Sequence, residues 1–339
     1  MVREIDRGGE FHGGLIEKAY LDEKLCFGLP AERDTEGHEV ANVEWLKLEW
    51  GGQRVEGKLY RPADKNTDSL IIWTPGLPGD GTTWFEEKHV PALVAEGYTV
   101  MALRHRGTRT KTEKAENYVH CPERQAKPAE TLGEDRVVSM DDLAFEPAIA
   151  LNVLGPKFFT VKLIGHSAGA PFSLHSLRHA PTVVGKITNI VSLAGAVGGE
   201  GHFADSFPPF EEYMKYCQTR INIGDPKANM EAFYRIVEEI YQREIEIPVR
   251  ARGKLPEIPE HIMMTLVHGE GDEYLKASGE ERLFTHLNRG LNINDKTQFE
   301  PEIHDLKNLR PETLLRLLAM HYPKAKHRAT VSAREPRQK

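Results

Sequence analysis

Residues 165 to 169 read Gly165-His166-Ser167-Ala168-Gly169, a serine framed by two glycines after the apolar run VKLIG and before the helical text AGAPFSLHSLRHA. In a strand–turn–helix context this spacing is that of a nucleophile elbow. A serine on so sharp a turn takes strained backbone angles, and side chains at the flanking glycine positions would collide with neighbouring backbone. The turn lifts the Ser167 hydroxyl above the strand end at the start of a helix, where amide N–H groups and the helix dipole favour negative charge. Such an arrangement suits nucleophilic attack on a carbonyl, with the N–H of Ala168 as one donor to the oxyanion. Neutral serine is a weak nucleophile, so the chemistry also needs a base.

The elements that would position this turn are written as β–α alternation. Four apolar runs, LIIWTP (70 to 75), YTVMAL (98 to 103), VKLIG (161 to 165) and ITNIVSL (187 to 193), lack the alternation of a half-exposed sheet and imply parallel strands buried on both faces. HIMMTLVHG (261 to 269) and a shorter run around Thr297 to Phe299 continue the series. From Asn42, two alternating strands around Gly51-Gly52 predict a hairpin, expected to form an antiparallel sheet edge. Helices are predicted over Trp84 to Glu96, closed by Gly97, from Ser139 with Asp142 as a capping pair, and over Pro311 to Met320, stopped by Pro323.

The fold class is therefore α/β, a mostly parallel central sheet with helices on both faces. Residues 196–260 interrupt the alternation with the helical patterns FPPFEEYMKYC and MEAFYRIVEEIYQREI and a proline-rich return, as an inserted helical cap would. The expected organisation is an N-terminal extension over 1–41, a core over 42–195 and 261–323, the cap over 196–260, and a basic tail without fixed structure over 324–339.

A chain of 339 residues suits one large α/β domain with an insertion. Its net charge of −7 is spread along the chain and argues against a nucleic-acid partner. Cys26, Cys121 and Cys217 are odd in number and far apart, matching neither a zinc site nor a disulfide framework, so a reducing, cytoplasmic setting is expected. There is no signal-peptide-like start and no apolar run long enough to span a membrane.

The leading hairpin with GKLYRP, the segment HRGT around Arg106-Gly107, the elbow GHSAG and HGEGDEY at 268 to 274 together resemble the α/β-hydrolase superfamily, over about Asn42 to Tyr322. Within it the similarity is to dienelactone-hydrolase-like and prolyl-oligopeptidase-like esterase domains. The resemblance implies a triad in the order serine, acid, histidine. Asp272 in HGEGD takes the acid position, with Glu270 and Glu273 flanking it, and His304 in FEPEIHDL takes the base position, with His321 as the alternative. The loop Pro75-Gly76-Leu77-Pro78-Gly79-Asp80-Gly81 would supply the second oxyanion donor, the N–H of Leu77, although Pro75 stands where the family often has histidine. No cofactor or metal is implied.

The implied activity is cleavage of a carboxylic ester or thioester through an acyl-enzyme, on a small-molecule substrate. Amidase or peptidase activity, C–C hydrolysis and acyl transfer would use the same triad, and a non-catalytic ligand receptor could use the same fold. Cap aromatics, Phe207 and Phe210 among them, could line an apolar acyl pocket beside His166, or simply anchor the cap. Arg104-His105-Arg106 sits at the strand end where open α/β sheets bind ligands. It could greet an acidic substrate, or be salt-bridged or solvated charge.

Overall fold

Strands that are apolar on both sides need a layer of helix on each, and the sheet provides both. The computed structural model describes residues 3–4, 18–21, 32–33, 39–63, 67–77, 81–106, 139–195, 210–218, 224–245, 259, 261–267, 272 and 309–320. Its strands are β1 (Arg3–Glu4), β2 (Lys18–Leu21), β3 (Glu32–Arg33), β4 (Glu39–Trp50), β5 (Gln53–Pro62), β6 (Ser69–Thr74), β7 (Thr99–Arg104), β8 (Thr160–His166), β9 (Ile187–Leu193) and β10 (Met263–Val267). Its helices are α1 (Gly81–Lys88), α2 (Val90–Ala95), α3 (Met140–Leu154), α4 (Gly169–Ser176), α5 (Phe210–Gln218), α6 (Pro226–Ile245) and α7 (Pro311–Ala319). Among the described residues no helix is long and apolar enough to cross a membrane.

The sheet runs β1-β2-β4-β5-β7-β6-β8-β9-β10, with β3 also paired to β4. From β7 to β10 every pairing is parallel, whereas β5 is antiparallel to both β4 and β7. Alternate residues serve opposite faces. Leu70, Ile72, Met101, Leu103 and Leu163 pack with α3 and Phe172 of α4, while Ile71, Trp73, Val100, Ala102 and Ile164 pack with Phe85, Val90, Leu93, Leu314 and Leu318.

The expected hairpin is present, and its two-residue turn has Gly51 and Gly52 at φ 59° and 75°, the backbone that lets two twisted strands join directly. It is not the outer edge of the sheet, because β4 also pairs with β2 and β3 from the first 41 residues. The single helix expected over Trp84 to Glu96 is two, meeting at His89. Pro91 is the reason: it has no N–H to bond the carbonyl four residues back, and its ring crowds that carbonyl. Burial of His89, with Lys88 beside it, lowers its pKa to about 3, so its imidazole is neutral. α3 starts as expected, with the Ser139 Oγ accepting from the Asp142 amide and the Asp142 carboxylate accepting from the Ser139 amide. The run around Thr297 to Phe299 and the tail over 324–339 lie outside the described residues.

Lys162 ties α7 to the far end of the sheet. From the start of β8 its Nζ donates to Asn189 Oδ1 at 2.6 Å, to the Leu318 carbonyl at 2.8 Å and to Thr188 Oγ1 at 3.2 Å, and Asn189 Nδ2 donates to the Met320 carbonyl at 2.8 Å. Carbonyls at the end of α7 that have no partner within the helix are satisfied in this way. Desolvation brings the Lys162 pKa down from 10.5 to about 8. Between these two pH values the unfolded chain holds a proton at Lys162 that the folded chain has lost, so this group makes stability rise with pH from about 8 to about 10.5. Urea unfolding across that window should show a positive slope, at most about 1.4 kcal/mol per pH unit from this residue, that Lys162→Met removes. Equal slopes in both proteins would contradict it.

Candidate active site

At the end of β8 the chain reverses into α4 through Ser167, whose φ of 51° lies in the left-handed region. For a residue with a side chain this costs about 1 to 3 kcal/mol, so the surroundings must hold it there. The Ser167 amide donates to the Leu193 carbonyl at 2.9 Å, and the Ser167 carbonyl accepts from the Ala170 amide at 3.1 Å. A Cβ on Gly165 would come within 2.6 Å of Ala170 Cα, and one on Gly169 within 2.5 Å of the Pro75 carbonyl oxygen. A Cβ on Gly76 would sit 2.6 Å from Ser167 Cβ and 3.1 Å from the His166 carbonyl oxygen. The elbow and the loop after β6 therefore approach as backbone against backbone.

Parallel strands bring their ends to one edge, and several of the expected site residues follow those ends in the chain. Ser167 and Ala168 follow β8, and Leu77 follows β6, where it is buried to 9% exposure and packs in the core. Asp272 lies just beyond the end of β10 and is half-buried. His166 is buried, its ring stacked at 6.2 Å and 14° on Trp73. Phe210 is buried on α5 against Phe233 at 5.1 Å and Tyr234 at 5.2 Å, both of α6, contacts within the segment expected to be a cap. His304 and Phe207 lie outside the described residues.

Sequence reasoning missed a second strained residue. Ala194, next after β9, has φ 45° and donates its amide to the Val267 carbonyl at 2.7 Å. With the Ser167 amide on Leu193, this carries the ladder one residue past the strand ends, from β8 through β9 to β10. Nothing in the residue type alanine signals such a conformation.

The cluster at the end of β7 is paired, with Arg104 and His105 buried and Arg106 half-buried. Arg104 meets Glu86 of α1 at 2.7 Å, and Lys58 of β5 stands 3.6 Å from the same carboxylate. His105 places Nδ1 2.7 Å from Glu146 Oε2 and Nε2 2.9 Å from the Pro75 carbonyl oxygen. A carbonyl only accepts, so Nε2 carries a hydrogen. The other oxygen of Glu146 accepts from the Arg106 amide at 2.7 Å, and the Arg106 side chain reaches Gln53 at 2.5 Å and Asp142 at 3.7 Å. The side chains of His105 and Glu146 are wholly buried. Of the two readings of this cluster, salt-bridged charge is the one observed. Glu146 looks in the sequence like one more acid on a helix.

A sheet in the order β4-β5-β7-β6-β8-β9-β10, antiparallel only at β5, with a left-handed serine turn between β8 and α4, is the α/β-hydrolase fold. No protein-family model and no curated protein matches the chain. Among solved structures it is similar to the esterase domain of a Rhodothermus marinus protein, at 13% identity over 81% of this chain and 95% of that one, TM-score 0.45. It is also similar to alpha/beta hydrolase domain-containing protein 10 from mouse (14% identity, 81% and 98% covered, TM-score 0.41). A serine hydrolase from the polyaromatic-hydrocarbon-degrading bacterium Cycloclasticus zankles is comparable, at 14% identity, 81% and 97% coverage and TM-score 0.44.

Removing the Glu146 carboxylate would leave His105 Nδ1 and the Arg106 amide without the partner they share. Glu146→Ala should therefore cost about 3 to 5 kcal/mol in urea denaturation, and Glu146→Gln, which retains one acceptor oxygen, distinctly less. A loss under about 1 kcal/mol for the alanine variant would show that the pair does not hold the strand end.

Proposed function

We propose that this chain is a serine hydrolase that cleaves a carboxylic ester or thioester through an acyl-enzyme. The observation that carries the reading is the Ser167 turn itself. A non-glycine residue at φ 51°, with glycine at the positions that must clear it, is strain placed where a hydroxyl is presented above a strand end at a helix N-terminus.

In this reading His304 takes the Ser167 proton as Oγ attacks the carbonyl carbon, and Asp272 orients the imidazole and stabilises its charged form. The tetrahedral oxyanion is held by the N–H groups of Ala168 and Leu77. The imidazolium then gives its proton to the leaving alcohol or thiol as the acyl bond to it breaks. Water repeats the sequence on the acyl-enzyme and releases the acid. The base contributes roughly 10²- to 10⁴-fold and each oxyanion donor about 3 to 4 kcal/mol.

The test is hydrolysis of p-nitrophenyl esters graded by acyl length, alongside the matching anilides. The wild-type chain should turn over at least one ester, and Ser167→Ala should lower kcat by about 10⁴-fold or more. Turnover surviving in Ser167→Ala, or none in the wild type across the series, would overturn the assignment.

A further inference from the structure

An oxyanion donor contributes to rate only if its N–H already points where the charge will form, because a loop that must reorganise during the reaction forfeits the gain. The first residues of the loop after β6, 75 to 77, are restrained at several points. Pro75 fixes its own φ, and Pro78 disfavours helical angles at Leu77. The Pro75 carbonyl is bonded from the sheet side by His105 Nε2 at 2.9 Å, and the Leu77 carbonyl accepts the hydroxyl of Tyr213 at 2.6 Å. These carbonyls belong to the peptide units on either side of the one that carries the Leu77 N–H. The proposed donor thus sits in a peptide unit between two pinned neighbours.

The two anchors come from different parts of the molecule. His105 is itself fixed by Glu146 and by the edge of its ring on Phe172 at 6.1 Å. Tyr213 belongs to α5, in the segment expected from the sequence to be a cap. α5 is seated on α6 through Phe210, and α6 is fastened to the start of α3 where Asn229 Oδ1 accepts from the Met140 amide at 2.6 Å and Arg235 meets Asp141 at 2.5 Å. A continuous set of contacts therefore runs from the core through both helices to the Leu77 carbonyl.

We propose that Tyr213 is a positioning residue for the oxyanion loop, so that the cap segment supports the chemical step rather than only covering the substrate. This rests on the reading of Ser167 as nucleophile and of the Leu77 N–H as oxyanion donor. Removing the hydroxyl leaves one of these two hydrogen bonds, that at Pro75. The N–H then spends part of its time misdirected, which weakens binding of the tetrahedral oxyanion more than binding of the trigonal substrate. The loss falls on kcat, not on KM.

The experiment compares wild type, Tyr213→Phe and Ser167→Ala on the best p-nitrophenyl ester, with Tyr216→Phe, an exposed tyrosine of the same helix, as control. A trifluoromethyl ketone of matching acyl length, which forms a tetrahedral adduct, reports oxyanion binding directly. Loss of a whole donor costs about 10²- to 10³-fold, so loss of one of two restraints should lower kcat roughly 5- to 50-fold and raise the ketone Ki by a similar factor. KM should stay within about twofold and Tyr216→Phe should match wild type. If Ser167→Ala is inactive while Tyr213→Phe keeps wild-type kcat, or loses activity through KM with the ketone Ki unchanged, this inference fails alone. No wild-type turnover, or turnover retained in Ser167→Ala, overturns the underlying reading and the inference with it.

Discussion

The left-handed turn at Ser167 can exist only where three stretches of backbone come together without side chains between them. Gly165 clears the turn from within it, while Gly169 and Gly76 clear the contact between the elbow and the chain at the end of β6. That contact depends on topology, for β6 must lie beside β8 for its loop to pass the elbow. The sheet arranges this by placing β6 between β7 and β8 although it precedes both in the chain. The parallel run then sends β9 and β10 to the same edge, where the backbone bonds of Ser167 and Ala194 extend the ladder past the strand ends. The strained turn is thus braced by strand order as much as by its own residues.

Apolar burial on both faces builds the sheet, while buried polar bonds decide where its ends and loops lie. Burying charge has a desolvation cost that is offset only when each group is well paired. The pairs here join elements distant in sequence: His105 links β7 to α3 and to the β6 loop, Arg104 and Lys58 meet on Glu86 of α1, and Lys162 holds the carbonyl end of α7 at the opposite edge. Such bonds are directional where packing is not, which suits them to fixing the angle of a loop.

Much of the fold was legible in the sequence because its strands are unbroken apolar runs and its turns use residues with specific backbone needs. The Gly51-Gly52 turn, the Ser139 and Asp142 cap and the elbow glycines each state a local geometry. The short strands β1 to β3 carry no such signal, since two to four residues cannot display a period. The pairing of His105 with Glu146 was also invisible, because it joins positions 41 residues apart on different elements. Likewise Tyr213 reads as one of many cap aromatics, and only the fold shows that its hydroxyl meets the Leu77 carbonyl. Ser167, Ala168, Leu77 and Asp272 are proposed from context, each standing just past the end of an apolar run. His304 was placed by the same logic, in a stretch outside the described residues.

The central claim is that Ser167 is an activated nucleophile, and covalent labelling tests it without knowledge of the substrate. The native chain would be treated with a fluorophosphonate and digested, and the modified residue located by mass spectrometry. One phosphonyl adduct per chain, on the peptide containing Ser167 and absent after heat denaturation, is the expected result. An unlabelled chain, or an adduct on another serine with Ser167 unmodified, would contradict it.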